Sequence, residues 1–210
     1  MIEYPHIPQC TGQSFFEMRN ALVFDKLDGN GCRSEWSRKR GWYKYAKRHS
    51  TAIDDGSTPW LTVVPSMFEA TLAEPLERIA HKQRWQNLVV FYEFWGKQSL
   101  AGFHVENDPK FLTVFDAAPE RADDILDPRE FRKLFEDKVP TPRFIGSEHW
   151  TRGYTQRVLL GQTEGITFEG VVAKVAERGY GVRMAKAKTQ AWKDAVRARC
   201  GDKAQEIIDS

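Results

Sequence analysis

The chain has 210 residues, 41% of them hydrophobic and 29% charged, and a formal net charge of +2. Such a composition belongs to a soluble globular protein with one good-sized domain, and the total charge is too small to announce nucleic acid by itself. Cys10, Cys32 and Cys200 are odd in number and far apart, which excludes a disulfide framework, and His6, His49, His81, His104 and His149 lack metal-ligand spacing, which argues against zinc.

Residues 1–20 are turn-rich, with Pro5 and Pro8. No secretory h-region and no membrane-spanning apolar run is visible, so the expectation is a cytoplasmic protein with no membrane partner and no evident protein partner. Ala21 to Lys26 reads as a buried strand running into the turn Asp28-Gly29-Asn30-Gly31. Cys32–Ser37 and Trp42–Arg48 alternate as two strands joined by the charged turn 38–41. Seven cations, Arg33, Arg38, Lys39, Arg40, Lys44, Lys47 and Arg48, face one acid there, Glu35. Trp36, Trp42, Tyr43 and Tyr45 are interleaved with them, a mixture suited to a phosphate backbone and its bases.

Helical spacing of Phe68, Leu72, Leu76 and Ile79 predicts a helix over 66–84, interrupted or restarted at Pro75. Leu88–Phe94 is an apolar strand with Glu93 near its end, and Phe111–Phe115 is another, ending in Asp116. A short helix is expected over 128–137, before the breaker Val139-Pro140-Thr141-Pro142. Further elements are a helix over 152–161, strands over 167–175 and 180–187, and a last helix capped by Thr189 and closed near Gly201. Strands dominate, and most connections are too short for parallel crossovers. The fold class expected is α+β with largely antiparallel sheets.

Charged residues recur at strand ends in a fixed order. Lys26-Leu27-Asp28-Gly29 comes first, then Lys47-Arg48, then Glu93 and Phe115-Asp116. Glu169-Gly170-Val171-Val172-Ala173-Lys174 and Lys186-Ala187-Lys188 end the series. Lys186 and Lys188 alternate by two and so share one face of a strand, where their charges repel unless an anion lies beside them. A lysine is a weak nucleophile at neutral pH, and nearby cations and desolvation favour its reactive amine.

From about Val23 to Trp192 the series resembles the motifs of the covalent nucleotidyltransferase superfamily, which holds ATP-dependent RNA ligases, DNA ligases and mRNA capping enzymes. It is most similar to phage-type RNA ligases. The resemblance implies an ATP-grasp-like ligase adenylation domain spanning 1–210, its core about 21–192, with two antiparallel sheets and flanking helices. It implies ATP and Mg²⁺ (or Mn²⁺) as cofactors and RNA or DNA strand ends, 5′-phosphate and 3′-hydroxyl, as partners. Lys26 would take AMP from ATP, pass it to the 5′-phosphate, and the 3′-hydroxyl would seal the strand. By the same resemblance backbone contacts around Phe24 and Asp25 select the base. Arg48 contacts ribose and phosphate, with Arg38 or Arg40 as alternatives. Glu93 serves the ribose or the metal, Phe115 stacks on the purine, Glu169 holds the metal, and Lys174, Lys186 and Lys188 neutralise phosphate. Only about twenty residues follow Lys188, so no OB-fold domain is expected, which disfavours a capping enzyme and a standard DNA ligase. A minimal DNA ligase and a non-ligating end-binding protein stay open.

Overall fold

The computed structural model of the chain describes residues 4–10, 15–47, 62–120, 124–177, 179 and 181–209. In chain order the strands are β1 (Met18–Lys26), β2 (Gly29–Ser37), β3 (Gly41–Lys47), β4 (Asn87–Gly96), β5 (Lys110–Pro119), β6 (Phe144–Trp150), β7 (Gly170–Glu177) and β8 (Gly181–Lys188). The helices are α1 (Val64–Phe68), α2 (Glu74–Lys82), α3 (Pro128–Phe135), α4 (Arg152–Leu159), α5 (Gln190–Cys200) and α6 (Ala204–Asp209). Two compact units emerge. One comprises Met1–Pro5, Asn30–Lys97 and Pro109–Thr141; the other comprises His6–Gly29, Gln98–Asp108 and Pro142–Ser210.

The first unit is built on a sheet of order β3-β2-β4-β5. Its strands alternate. Leu88, Val90, Tyr92 and Phe94 of β4 point to one face and join Trp36, Phe68, Leu72, Leu76, Val114, Phe131 and Phe135 in a helix-covered core. Each such apolar side chain contributes about 1.5–3 kcal/mol on burial. The helix expected over 66–84 runs from Val64 to Lys82, with a π-helical turn over Glu69–Ala73 that ends two residues before Pro75. A proline cannot donate to the carbonyl four residues back and crowds it, and a widened turn removes that conflict. The indole of Trp42 donates to the Ala73 carbonyl at 3.3 Å, occupying an acceptor of the widened turn.

The second unit holds a sheet of order β6-β1-β7-β8, antiparallel at every pairing. Ala21, Val23, Val171, Ala173, Ala185 and Ala187 face α4, whose Tyr154 and Val158, with Trp150 at the end of β6, complete a core. Leu22, Phe24 and Lys26 alternate to the opposite face.

Several expectations needed adjustment. Glu93 and Asp116 lie inside β4 and β5 rather than at their ends, because both strands run on, to Gly96 and Pro119. A bulge between Phe91 and Tyr92 shifts the pairing, so that Phe91 stands opposite Asp116 and Tyr92 opposite Val114. β7 begins at Gly170, so Glu169 stands in the preceding loop. β6 and α6 were not foreseen: Phe-Ile-Gly-Ser-Glu-His-Trp offers little alternation, and α6 has six residues.

Candidate functional site

The register of β1, β7 and β8 sets three transverse rows on the face away from α4. They are Lys26–Gly170–Lys188, Phe24–Val172–Lys186 and Leu22–Lys174–Met184. Two strand spacings, roughly 10 Å, separate the first and last members of each row. In the first row the middle position is glycine, so two lysine side chains can lean inward over bare backbone. A Cβ on Gly170 would lie 2.0 Å from the Ala187 carbonyl oxygen and 2.8 Å from Lys188 Cα. No other residue permits that approach of β7 to β8.

Both lysines converge on Glu169. Lys26 Nζ donates to Glu169 Oε2 at 2.8 Å, and Lys188 Nζ lies 3.6 Å from Oε1. The side chains of Glu169 and Lys188 are 5% and 3% exposed, while that of Lys26 keeps 23%. The most accessible ammonium of the three-residue cluster is therefore the nucleophile candidate. Burial pulls the Lys188 ammonium below its ordinary pKa, Glu169 opposes this, and Lys26 adds to it. One carboxylate thus balances two cations, leaving the cluster net positive and suited to an anion.

Asp28 braces the turn after Lys26. Its Oδ2 accepts from the Trp192 indole at 2.6 Å and from the Ala101 amide at 2.8 Å, and its Oδ1 accepts from the Gly102 amide at 3.3 Å. One side chain so ties the Lys26 turn to the 98–108 loop and to the first turn of α5. That turn is itself capped by Thr189, whose Oγ1 accepts from the Trp192 amide at 3.1 Å. Asp25 braces the loop that carries Glu169. It is 4% exposed, accepts from the Thr167 amide at 2.9 Å and also bonds the Thr167 hydroxyl. Burial raises its pKa above 3.8, against the lowering effect of Thr167.

Phe24 is buried and meets Phe144 with ring centroids 5.7 Å apart, and Lys174 Nζ lies 5.3 Å from the Phe24 centroid. Lys186 is buried, and its backbone pairs with Pro8 and Cys10. In the second unit, then, the fold sets Phe24, Lys26, Lys174, Lys186 and Lys188 on one sheet face with Glu169 in the adjoining loop, while Asp25 alternates to the other face and bonds Thr167. Glu93 and Phe115 belong to the first unit. Glu93 pairs with Thr113 in register, and Phe115 makes an edge contact with Tyr4 at 5.1 Å. Arg48 lies outside the described residues. Of its alternatives, Arg40 covers the Tyr43 ring at 4.2 Å, and the Arg38 amide donates to the Gln86 carbonyl. Arg33 is 1% exposed in β2, a burial that its place in a run of cations does not suggest. Sequence reading also missed Asp28 and Trp192 as braces; the Asp-Gly pair after Lys26 was the available signal.

Among the described residues no cluster of three or more His, Cys, Asp or Glu could cage a metal. Glu169 offers a single carboxylate beside a phosphate-sized set of cations. That donor set fits a Mg²⁺-like ion, which is commonly held by one or two carboxylates, waters and substrate phosphates.

No protein-family model matches the sequence, and no curated protein matches it. Solved structures do. An archaeal ATP-dependent RNA ligase superposes with a TM-score of 0.66 at 16% identity, over 94% of this chain and 51% of that one. The fold is that of a polynucleotide ligase's nucleotidyltransferase domain. An Aquifex aeolicus chain provisionally described as an ATP-dependent DNA ligase matches with a TM-score of 0.61 at 18% identity, over 98% of this chain and 57% of that one. A mutant of Naegleria gruberi RNA ligase, solved with AMP and Mn, matches with a TM-score of 0.54 at 14% identity, over 82% and 50%. This chain therefore spans about half the length of the solved ligases it matches. No described helix is long and apolar enough to cross a membrane.

Proposed function

We propose that this chain is an ATP-dependent polynucleotide ligase, acting on RNA ends through a lysyl-AMP formed on Lys26. The observation that carries the reading is the convergence of Lys26, Lys188 and Glu169 over Gly170, on a ligase fold.

In the first step the Lys26 amine attacks the α-phosphorus of ATP. A P–N bond forms, the bond to the bridging α–β oxygen breaks, and pyrophosphate leaves. Lys26 must shed protons to do this, and Glu169 Oε2, 2.8 Å away, is the base at hand. Lys186 and Lys188 stabilise the charge that develops on the phosphates, and Lys174, beside the Phe24 ring, sits one row beyond Lys186 on the same face. A Mg²⁺ or Mn²⁺ bound at Glu169 would neutralise phosphate charge and orient the leaving group. Glu93 serves the ribose or that ion, Phe115 stacks on the purine, and Arg48 binds ribose and phosphate. AMP next passes to a 5′-phosphate, and a 3′-hydroxyl then displaces it. RNA repair in the cytoplasm is the setting this chemistry implies.

Nicked DNA is the second reading, favoured by the Aquifex likeness. Incubating the adenylylated protein with 5′-phosphorylated RNA and, separately, with nicked DNA tests both. Loss of AMP from the protein to RNA is the expected result, discharge only on nicked DNA selects the second reading, and discharge on neither removes both.

A further inference from the structure

Lys188 is already occupied. Its Nζ donates to the Ile207 carbonyl at 3.2 Å and to the Ile208 carbonyl at 3.0 Å, both in the last turn of α6. It also lies 3.6 Å from Glu169 and 4.5 Å from the centroid of Trp192. An ammonium has three protons. Two point at α6 and the third has Glu169 within reach, so a phosphate oxygen would have to replace a present partner. The Gln9 amide adds a further bond to the Ile208 carbonyl. The last carbonyls of a helix lack partners within it and carry partial negative charge. They offer Lys188 oxygen acceptors of the kind a phosphate offers, without the full charge. Ala204 and Ile208 seat α6 against Trp192 and Val196, so the contact is built in by packing.

We propose that α6 is a built-in competitor of the nucleotide's phosphate: its C-terminal carbonyls hold Lys188, and ATP binding displaces them. This rests on the reading of Lys188 as a phosphate ligand. Charged oxygens make stronger hydrogen bonds to an ammonium than neutral carbonyls do, so the nucleotide prevails, at some loss of affinity. Were α6 undocked in about one molecule in ten, the apparent ATP affinity would be weakened about tenfold.

Hydrogen–deuterium exchange of residues 204–209, followed in the full chain with and without ATP and Mg²⁺, tests this on the unaltered protein. An Ile208→Gly variant, which loosens α6 without adding charge, is titrated with ATP on a Lys26→Ala background so that no covalent step intervenes. The expected results are faster exchange of α6 when ATP is added and an apparent Kd about tenfold lower in Ile208→Gly. Retained ATP binding with unchanged or slower α6 exchange, or with unchanged or weaker affinity in Ile208→Gly, overturns the competition while leaving the ligase reading intact. Absence of ATP binding in every form overturns both.

Discussion

Replacing Gly170 by alanine isolates the close approach of β7 to β8. The added Cβ would sit 2.0 Å from the Ala187 carbonyl oxygen, and that backbone atom must retreat by about 1 Å to reach the shortest separation real Cβ atoms show. A carbonyl within a sheet ladder moves only with its strand, so the strain falls on the pairing that aligns Lys188 opposite Gly170. Overpacking of this kind costs about 1–3 kcal/mol. Gly170 also has φ 155°, a region that side chains avoid, adding about 1–3 kcal/mol. The total, about 2–6 kcal/mol, is measured by urea denaturation against Gly161→Ala. Gly161 has φ 69° but nothing within 4 Å of its built Cβ, so its variant bears the backbone term alone. A Gly170→Ala loss no larger than that of Gly161→Ala would refute the proximity reasoning.

Three further outcomes follow from the same geometry. Asp28→Ala strips acceptors from one indole and two amides and is expected to cost about 1–3 kcal/mol, with Asp28→Asn recovering part of it, both read by thermal denaturation. Asp25 has a folded pKa above 3.8, so its contribution to stability is full below 3.8 and is lost as pH rises through the folded value. Asp25→Asn lacks that titration, and stability curves of the two proteins from about pH 3 to 7 should diverge in slope just above 3.8; parallel curves would contradict the assignment. Glu169→Gln leaves two ammonium groups without their shared carboxylate and should slow lysyl-AMP formation by about a hundredfold, followed with labelled ATP.

How much was legible in the sequence follows from the range of each interaction. Strand periodicity is local, so Lys186 and Lys188 could be set on one face from their spacing alone, and the apolar run before Lys26 identified β1. Glu169 could be named by resemblance, but its pairing with Lys26 spans 143 residues, and the Trp192–Asp28 bond spans 164. Such contacts arise only from the order of strands in the sheet, which periodicity does not encode. β6 escaped because an edge strand has a single paired neighbour and tolerates Gly146, Ser147 and Glu148. Lys174 could be named by resemblance, but its place opposite Leu22 and beside the Phe24 ring comes only from the register.

Intact-mass spectrometry of the purified protein, before and after incubation with ATP and Mg²⁺ and followed by peptide mapping, tests the central claim most directly. The expected result is a gain of one AMP moiety, located on Lys26 and reversed by added pyrophosphate. A folded protein that gains no AMP, or gains it on another residue, would contradict the assignment of Lys26 as the nucleophile.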